Sequence, residues 1–360
     1  MVCGYERNLQ KLGIKSLSDN IMEEPLPAGG SCLLSSINLS AFVIDPFTSN
    51  AQFDFESFKQ AVDTAVREMN IVLDEGLPLH PLQIQRDSVT KWRQIGLGIM
   101  GLADMLIKLG IKYGSVTSAA ISARIGKSMI QQAMLTSAQL AAEFGAYPGC
   151  EIDALRESVF YKKHTTKEID ALVAQHGLRN SQLLSIAPTG SISTMLSISG
   201  GLEPIFATEF IRTTKSLHGQ DFSYQVYAQI VKDCMDAYGV TEIPAHIVTS
   251  RTLSSKERIK IQSTWQDYID AAISSTINLP EYVSVDEVMD IYLSGWKHGL
   301  KGVTIYRSGC EREGILTVAQ DEEEMHVVHQ DSNCPECGTE LSAVNGCFEC
   351  HNCGWGKCSL

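Results

Sequence analysis

Long hydrophobic runs are missing from this 360-residue sequence. No stretch reaches the ~18 apolar residues that a membrane-crossing helix needs, so no membrane partner is expected. Basic charge is scarce as well: 29 Lys and Arg stand against 42 Asp and Glu, a net charge of −13. With no basic run of useful length, a nucleic-acid-binding body is excluded, because phosphate backbones need a basic face. The opening residues mix charge and polarity and lack the apolar centre of a signal peptide, which predicts a cytoplasmic protein. Structural disulfides are out of place in that compartment, so the eleven cysteines point to metal ligands or reactive thiols. Six of the eleven fall within residues 334–360.

The rest is ordinary globular composition, 44% hydrophobic and 20% charged, in a chain with room for two to three average domains or one large α/β unit. Residues 1–22 carry no strand or helix pattern continuous with the residues after them. Two acids, two prolines and a glycine pair then make a tight loop, with Cys32 at its edge and a strand predicted over 32–39. Such a loop is either an active-site insertion or a surface loop beside a buried cysteine. Helical periodicity covers 55–73, 92–109 and 118–144, and further helices are predicted over 222–238, 254–275 and 285–299. Short strands are predicted over 183–187, 277–280 and 303–306. Strands alternating with long helices argue for a parallel sheet or barrel, whose sites lie beyond the strand C-termini. Gly96, Gly98 and Gly101 superficially match a dinucleotide fingerprint. They lie in a helix-like pattern rather than after a strand, so close helix packing is expected instead.

The stretch SQLLSIAPTGSISTMLSISGGLEPIF, residues 181–206, is the organising feature. An apolar strand is stopped by Pro188, which lacks a backbone donor. After Ala187 and Pro188, the residues Thr189, Gly190, Ser191 and Ser193 supply hydroxyls and unencumbered amides where a helix begins, a combination suited to phosphate. The same composition also makes plain Ser/Thr-rich turns. The tail carries the most specific motif. Cys334 and Cys337 form one CxxC and Cys350 and Cys353 another, twelve residues apart, the spacing of a tetrahedral thiolate zinc site. Cys347 and Cys358 are left over, either as free thiols or as a redox pair.

In order along the chain, EEPLPAGGSCLLSSINLSAFV, RQIGLGIMGLADML, IAPTGSISTMLSISGGLEPIF, DAAISSTINLP, GLKGVTIYRSG and the terminal cluster ending CGWGKC resemble the ribonucleotide reductase catalytic subunit. The tail is most similar to the adenosylcobalamin-dependent (class II) branch, and Tyr306 lacks the adjacent tyrosine that the iron-dependent branch uses. The resemblance implies reduction of ribonucleotides to deoxyribonucleotides by a thiyl radical inside a ten-stranded α/β barrel, of which this chain would be the C-terminal half. It implies that residues 187–193 hold the substrate phosphates, that Glu23 takes part in proton transfer at the ribose, and that Cys32 is half of the active-site disulfide. Cys347 and Cys358 would relay reducing equivalents from a thioredoxin-type donor, and the cofactors would be adenosylcobalamin and zinc. The implied organisation is residues 1–22 without a counterpart, a partial barrel over 23–320, an acidic linker over 321–333 and a zinc ribbon over 334–360.

One departure is serious. The family places a radical cysteine in a motif of the form NPCGE just before the loop glutamate, whereas an ungapped count from Glu23 puts Ile21 there and a single gap puts Met22. Cys3 echoes the motif too far away to serve. The expectation is therefore an interrupted reductase needing its N-terminal half as partner and assembling as an oligomer. The alternatives are an inactive remnant that binds nucleotide or a reductase partner, and a zinc-ribbon interaction module.

Overall fold

In the computed structural model the described residues are 26–31, 33–214, 222–307 and, in the tail, 337, 342–344, 347–349, 352–353 and 356–358. The chain divides into two compact units, Met1–Ile315 and Leu316–Leu360.

In the larger unit, strand β1 (Leu34–Asn38) precedes a small antiparallel pair, β2 (Val43–Ile44) and β3 (Gln52–Phe53). Helix α1 (Phe55–Gly76) begins where the Asp54 carboxylate accepts from the amides of Glu56 and Ser57. It buries Phe58, Val62, Val66, Met69 and Leu73, a stripe at three- and four-residue spacing. Then come α2 (Gln83–Trp92), β4 (Gly96–Met100), α3 (Leu102–Lys108) and the 29-residue α4 (Val116–Phe144). Helices α5 (Ile152–Glu157), α6 (Val159–His164) and α7 (Lys167–His176) lead into an extended segment, 183–187, and the short α8 (Gly190–Met195). An antiparallel pair, β5 (Glu209–Thr214) and β6 (Phe222–Tyr227), precedes α9 (Gln229–Tyr238) and α10 (Ser255–Gln266). The last elements of the unit are β7 (Thr276–Leu279), α11 (Val285–Lys297) and β8 (Thr304–Arg307).

Five extended segments lie side by side in chain order, all parallel. β1 pairs with β4, with Leu34 opposite Gly96. The Leu97 amide donates to the Leu183 carbonyl, and Ser185 returns a bond to Leu97, bringing in the segment 183–187. That segment pairs with 271–274 through Ile186 to Ala272, Ala271 to Leu184 and Ser274 to Ile186. Its continuation, β7, pairs with β8. Every step between neighbours carries at least one helix, as parallel strands require. Among the described residues the array is open, with β1 at one edge and β8 at the other. A large core of buried aliphatic and aromatic side chains packs helices against the array, and a smaller one, Ile259, Ile277, Ile291, Leu300 and Val303, sits under α11.

The structure corrects three sequence expectations. Residues 92–109 are not one helix: the GLGIM run is strand β4, buried along its whole length, and Gly101 at φ 69° turns the chain into α3. Fully buried parallel strands are apolar on both faces, so their sequence shows no alternation to separate them from a helix. Nor is 222–238 one helix, because FSYQVY alternates with period two and forms β6 ahead of α9. The helix predicted over 254–275 ends at Gln266, and 271–275 runs in the parallel array.

In the tail, β9 (Ser342–Val344), β10 (Cys347–Glu349) and β11 (Gly356–Cys358) form an antiparallel sheet in the order β11–β10–β9, with Cys347 directly opposite Cys358. Among the described residues no helix is long and apolar enough to cross a membrane.

Candidate functional site

The segment 183–187 is the middle strand of the five, and its start is held by a buried carboxylate. Asp270 accepts from the amides of Leu183 at 2.8 Å and Leu184 at 2.6 Å. Burial pushes the Asp270 carboxyl above its ordinary range, with those two amides pulling the other way. At the C-terminal end of the strand the chain opens into the loop singled out by sequence. Thr189 adopts φ 54°, ψ 23°, a left-handed conformation that β-branched residues rarely take. Such conformations persist where surrounding structure enforces them. Here the Gly201 amide donates to the Thr189 hydroxyl at 2.9 Å.

The glycine pair downstream is required by close approach. A Cβ on Gly200 would lie 2.7 Å from the Pro188 carbonyl oxygen, and one on Gly201 would lie 2.8 Å from that of Ala187. The returning chain passes directly beneath the loop, and any side chain there would push it away. On its open side the loop offers donors. The amides of Gly190, Ser191 and Ile192 take no acceptor among the described residues, Gly190 has nothing within 4 Å of where its Cβ would stand, and Ser191 is exposed. A group of unused amides at a helix start suits an oxyanion.

Not every residue expected there faces outward. Ser193 is buried and its hydroxyl donates to the Gly190 carbonyl at 3.3 Å, the backbone bond a serine makes within a first turn. Ala187 is buried and Pro188 is exposed. Thr189, mostly covered, braces the loop from within. The structure thus brings Gly190 and Ser191 to the open face and turns Thr189 and Ser193 inward.

Behind the loop lies a network that sequence reasoning missed. Glu203, two residues past the glycine pair, accepts from the Thr276 amide at 2.9 Å and from the Arg258 guanidinium at 2.5 Å. Arg258 is 4% exposed and also donates to the Tyr113 hydroxyl, the Leu202 and Thr276 carbonyls and Ser275. Burial would lower the Arg258 pKa, but Glu203 and Tyr113 more than offset it. Burial pushes Tyr113 up to about 12. The one usable signal was Glu203 following the glycine pair; Arg258 sits in KERIK, which reads as a solvated helix face. A second anchor, Ser199, donates its amide to the buried Asp104 carboxylate while its hydroxyl accepts from the Ala103 amide. The N-terminus of α3 is thereby occupied by protein, which leaves the glycine-rich run before it no room for a dinucleotide phosphate.

Glu23, Cys32, Cys334 and Cys350 lie outside the described residues. Cys337 and Cys353 are exposed and each sits in a turn. Among the described residues no three His, Cys, Asp or Glu side chains come close enough together to hold a metal ion.

Residues 15–306 match the family described as ribonucleotide reductase, barrel domain. The chain is 30% identical over 315 residues to the vitamin B12-dependent ribonucleoside-diphosphate reductase of Mycobacterium tuberculosis (strain ATCC 25618 / H37Rv), covering 82% of this chain and 41% of that protein. It is 28% identical over 359 residues to the protein of the same name from Thermoplasma acidophilum, covering 93% of this chain and 43% of that one. With the vitamin B12-dependent ribonucleotide reductase of Streptomyces clavuligerus it shares 27% identity over 342 residues, 82% of this chain and 35% of that protein. The chain therefore spans less than half the length of each of these relatives.

Proposed function

The chain belongs to the ribonucleotide reductase family, and from that premise we propose that it forms the substrate-phosphate half of a vitamin B12-dependent reductase that turns ribonucleotides into deoxyribonucleotides. The observation that carries this reading is the set of unused amides at Gly190, Ser191 and Ile192, held at the C-terminal end of the middle strand of a parallel array. In this reading they take the phosphates of the ribonucleotide, with Ser191 as a hydroxyl donor. Glu23 moves a proton at the ribose, a role suited to a carboxylate in a dry site. Cys32 is one half of the disulfide formed at each turnover.

The tail returns electrons to that disulfide. Directly opposed residues of an antiparallel pair have Cα atoms ~4.5–5.5 Å apart, within the range a disulfide spans. The register that sets Cys347 opposite Cys358 therefore supports a redox pair, re-reduced by a thioredoxin-type donor. Cys334, Cys337, Cys350 and Cys353 would hold zinc, which as a closed thiolate site supplies a structural cross-link. The turns at Cys337 and Cys353 are the local geometry CxxC ligands use. For adenosylcobalamin the described residues present no face that identifies a binding surface.

The reading also calls for an N-terminal reductase half. The ungapped count from Glu23 leaves Ile21 where a thiyl radical is needed, and an isoleucine side chain has no thiol to form one. Helix α11 leaves Val285, Met289, Leu293 and Trp296 exposed along its length, and the neighbouring β8 has no outer strand among the described residues. The test is deoxyribonucleotide formation with adenosylcobalamin and dithiothreitol, with and without a co-expressed N-terminal half from a relative. Product only in the mixture is expected. No product in either preparation favours the alternative of an inactive remnant, for which the same isoleucine is the motivating observation.

A further inference from the structure

Away from the strand ends, α1, α4 and the start of α7 line an open groove of about 410 Å³. Its size falls in the range of small-molecule sites. In a chain of net charge −13 the groove gathers Lys59, Arg124 and Lys127 against a single carboxylate, Glu168. Lys59 is paired with Glu56 at 2.9 Å, but both are exposed, and such pairs hold little. Among the described residues Arg124 and Lys127 meet no carboxylate at all. They stand three residues apart on α4, a spacing at which like charges repel and destabilise the helix. Both side chains are exposed, so their charges are open to an anion from solution. Arg124 is stacked 4.7 Å from the centre of the Phe55 ring, which also lines the groove. Ser128 and Gln131 line the same wall and add polar groups.

We propose that this groove is a second anion site, built from none of the residues of the loop after 183–187, and that its ligand is a polyphosphate. The cations take the phosphate oxygens through charge-assisted bonds. Phe55 and Arg124 both line the groove and are the groups on which a planar moiety attached to the phosphates would stack. The polyphosphate can be free or carried by a nucleotide, and the two sources are separable. The inference does not rest on the reductase reading.

The experiment is calorimetric titration of the full chain with inorganic tripolyphosphate and, separately, with ATP. Wild-type protein is expected to bind tripolyphosphate. An Arg124→Gln/Lys127→Gln variant, altered only at exposed positions, should bind it roughly tenfold more weakly or worse, the loss of two charge-assisted contacts. Ser191→Asp, which places a negative charge on the other loop, should leave the binding step that depends on Arg124 and Lys127 within about twofold, whatever it does to a separate step at that loop. ATP binding tighter than tripolyphosphate, with the difference erased by Phe55→Leu, identifies a nucleotide; equal affinities identify free polyphosphate. The proposal is overturned by no binding to wild type, by unchanged binding to the double variant, or by loss in Ser191→Asp of the same step that the double variant weakens.

Discussion

Arg258 is nearly sealed from solvent, and its guanidinium is divided among Glu203, Tyr113, Ser275 and two backbone carbonyls. A buried charge so completely partnered fixes geometry more than it adds stability, and removing one partner leaves the other stranded. Arg258→Met is therefore expected to destabilise the chain by about 3–5 kcal/mol in urea unfolding, while Glu203→Gln, which keeps an acceptor for the Thr276 amide, costs less. A loss below about 1 kcal/mol for Arg258→Met would mean that the network is incidental. Single residues also mark where sequence stopped being legible. The open turn at Gly190 and Ser191 was readable because Pro188 stops the strand before it. Ser193 was not, since nothing in a hydroxyl's identity says whether it faces a ligand or folds back on the carbonyl three residues earlier.

Among the elements, β4 shows how a strand buried on both faces hides in a sequence. Gly98 would place a Cβ 2.3 Å from the Ser185 carbonyl oxygen, so the approach of β4 to the middle strand depends on the missing side chain. Gly98→Ala should cost about 1–3 kcal/mol as an overpacked core site, measured by thermal or urea unfolding. Gly76→Ala, where a Cβ meets nothing within 4 Å, is the control that should cost little or nothing. Helix α6 offers a pH test. His164 is buried between the Phe160 and Tyr268 rings, at 4.6 Å and 5.2 Å. Burial holds its pKa below the ordinary histidine range, Lys163 and Lys127 add to this, and Asp267 opposes it. The folded state thus keeps His164 neutral at pH values where the unfolded chain, near 6.5, already takes a proton. In that window the unfolded state binds more protons, so stability rises with pH and is lost on acidification. His164→Leu should flatten the stability curve below about pH 6.5; an unchanged slope would assign the acid sensitivity to other groups.

At the scale of the whole molecule, the alternation of strands and helices was legible because each long helix carries its own cap and stripe, as Asp54 and Ser284 show. The order of the parallel array was not, because β4 and residues 271–275 both read as helix. Sequence did not reveal how the middle strand is held. Asp270 lies 87 residues from the Leu183 amide it holds and Arg258 lies 55 residues from Glu203, and only folding brings these partners together. The central question is whether the amides at the end of that strand take phosphate. The most direct measurement is to follow the backbone amide resonances of Gly190, Ser191 and Ile192 by NMR while a ribonucleoside diphosphate is added. If they form the phosphate cradle, these three signals move together and saturate with the ligand; signals that stay in place while the nucleotide binds elsewhere, or does not bind, would contradict it.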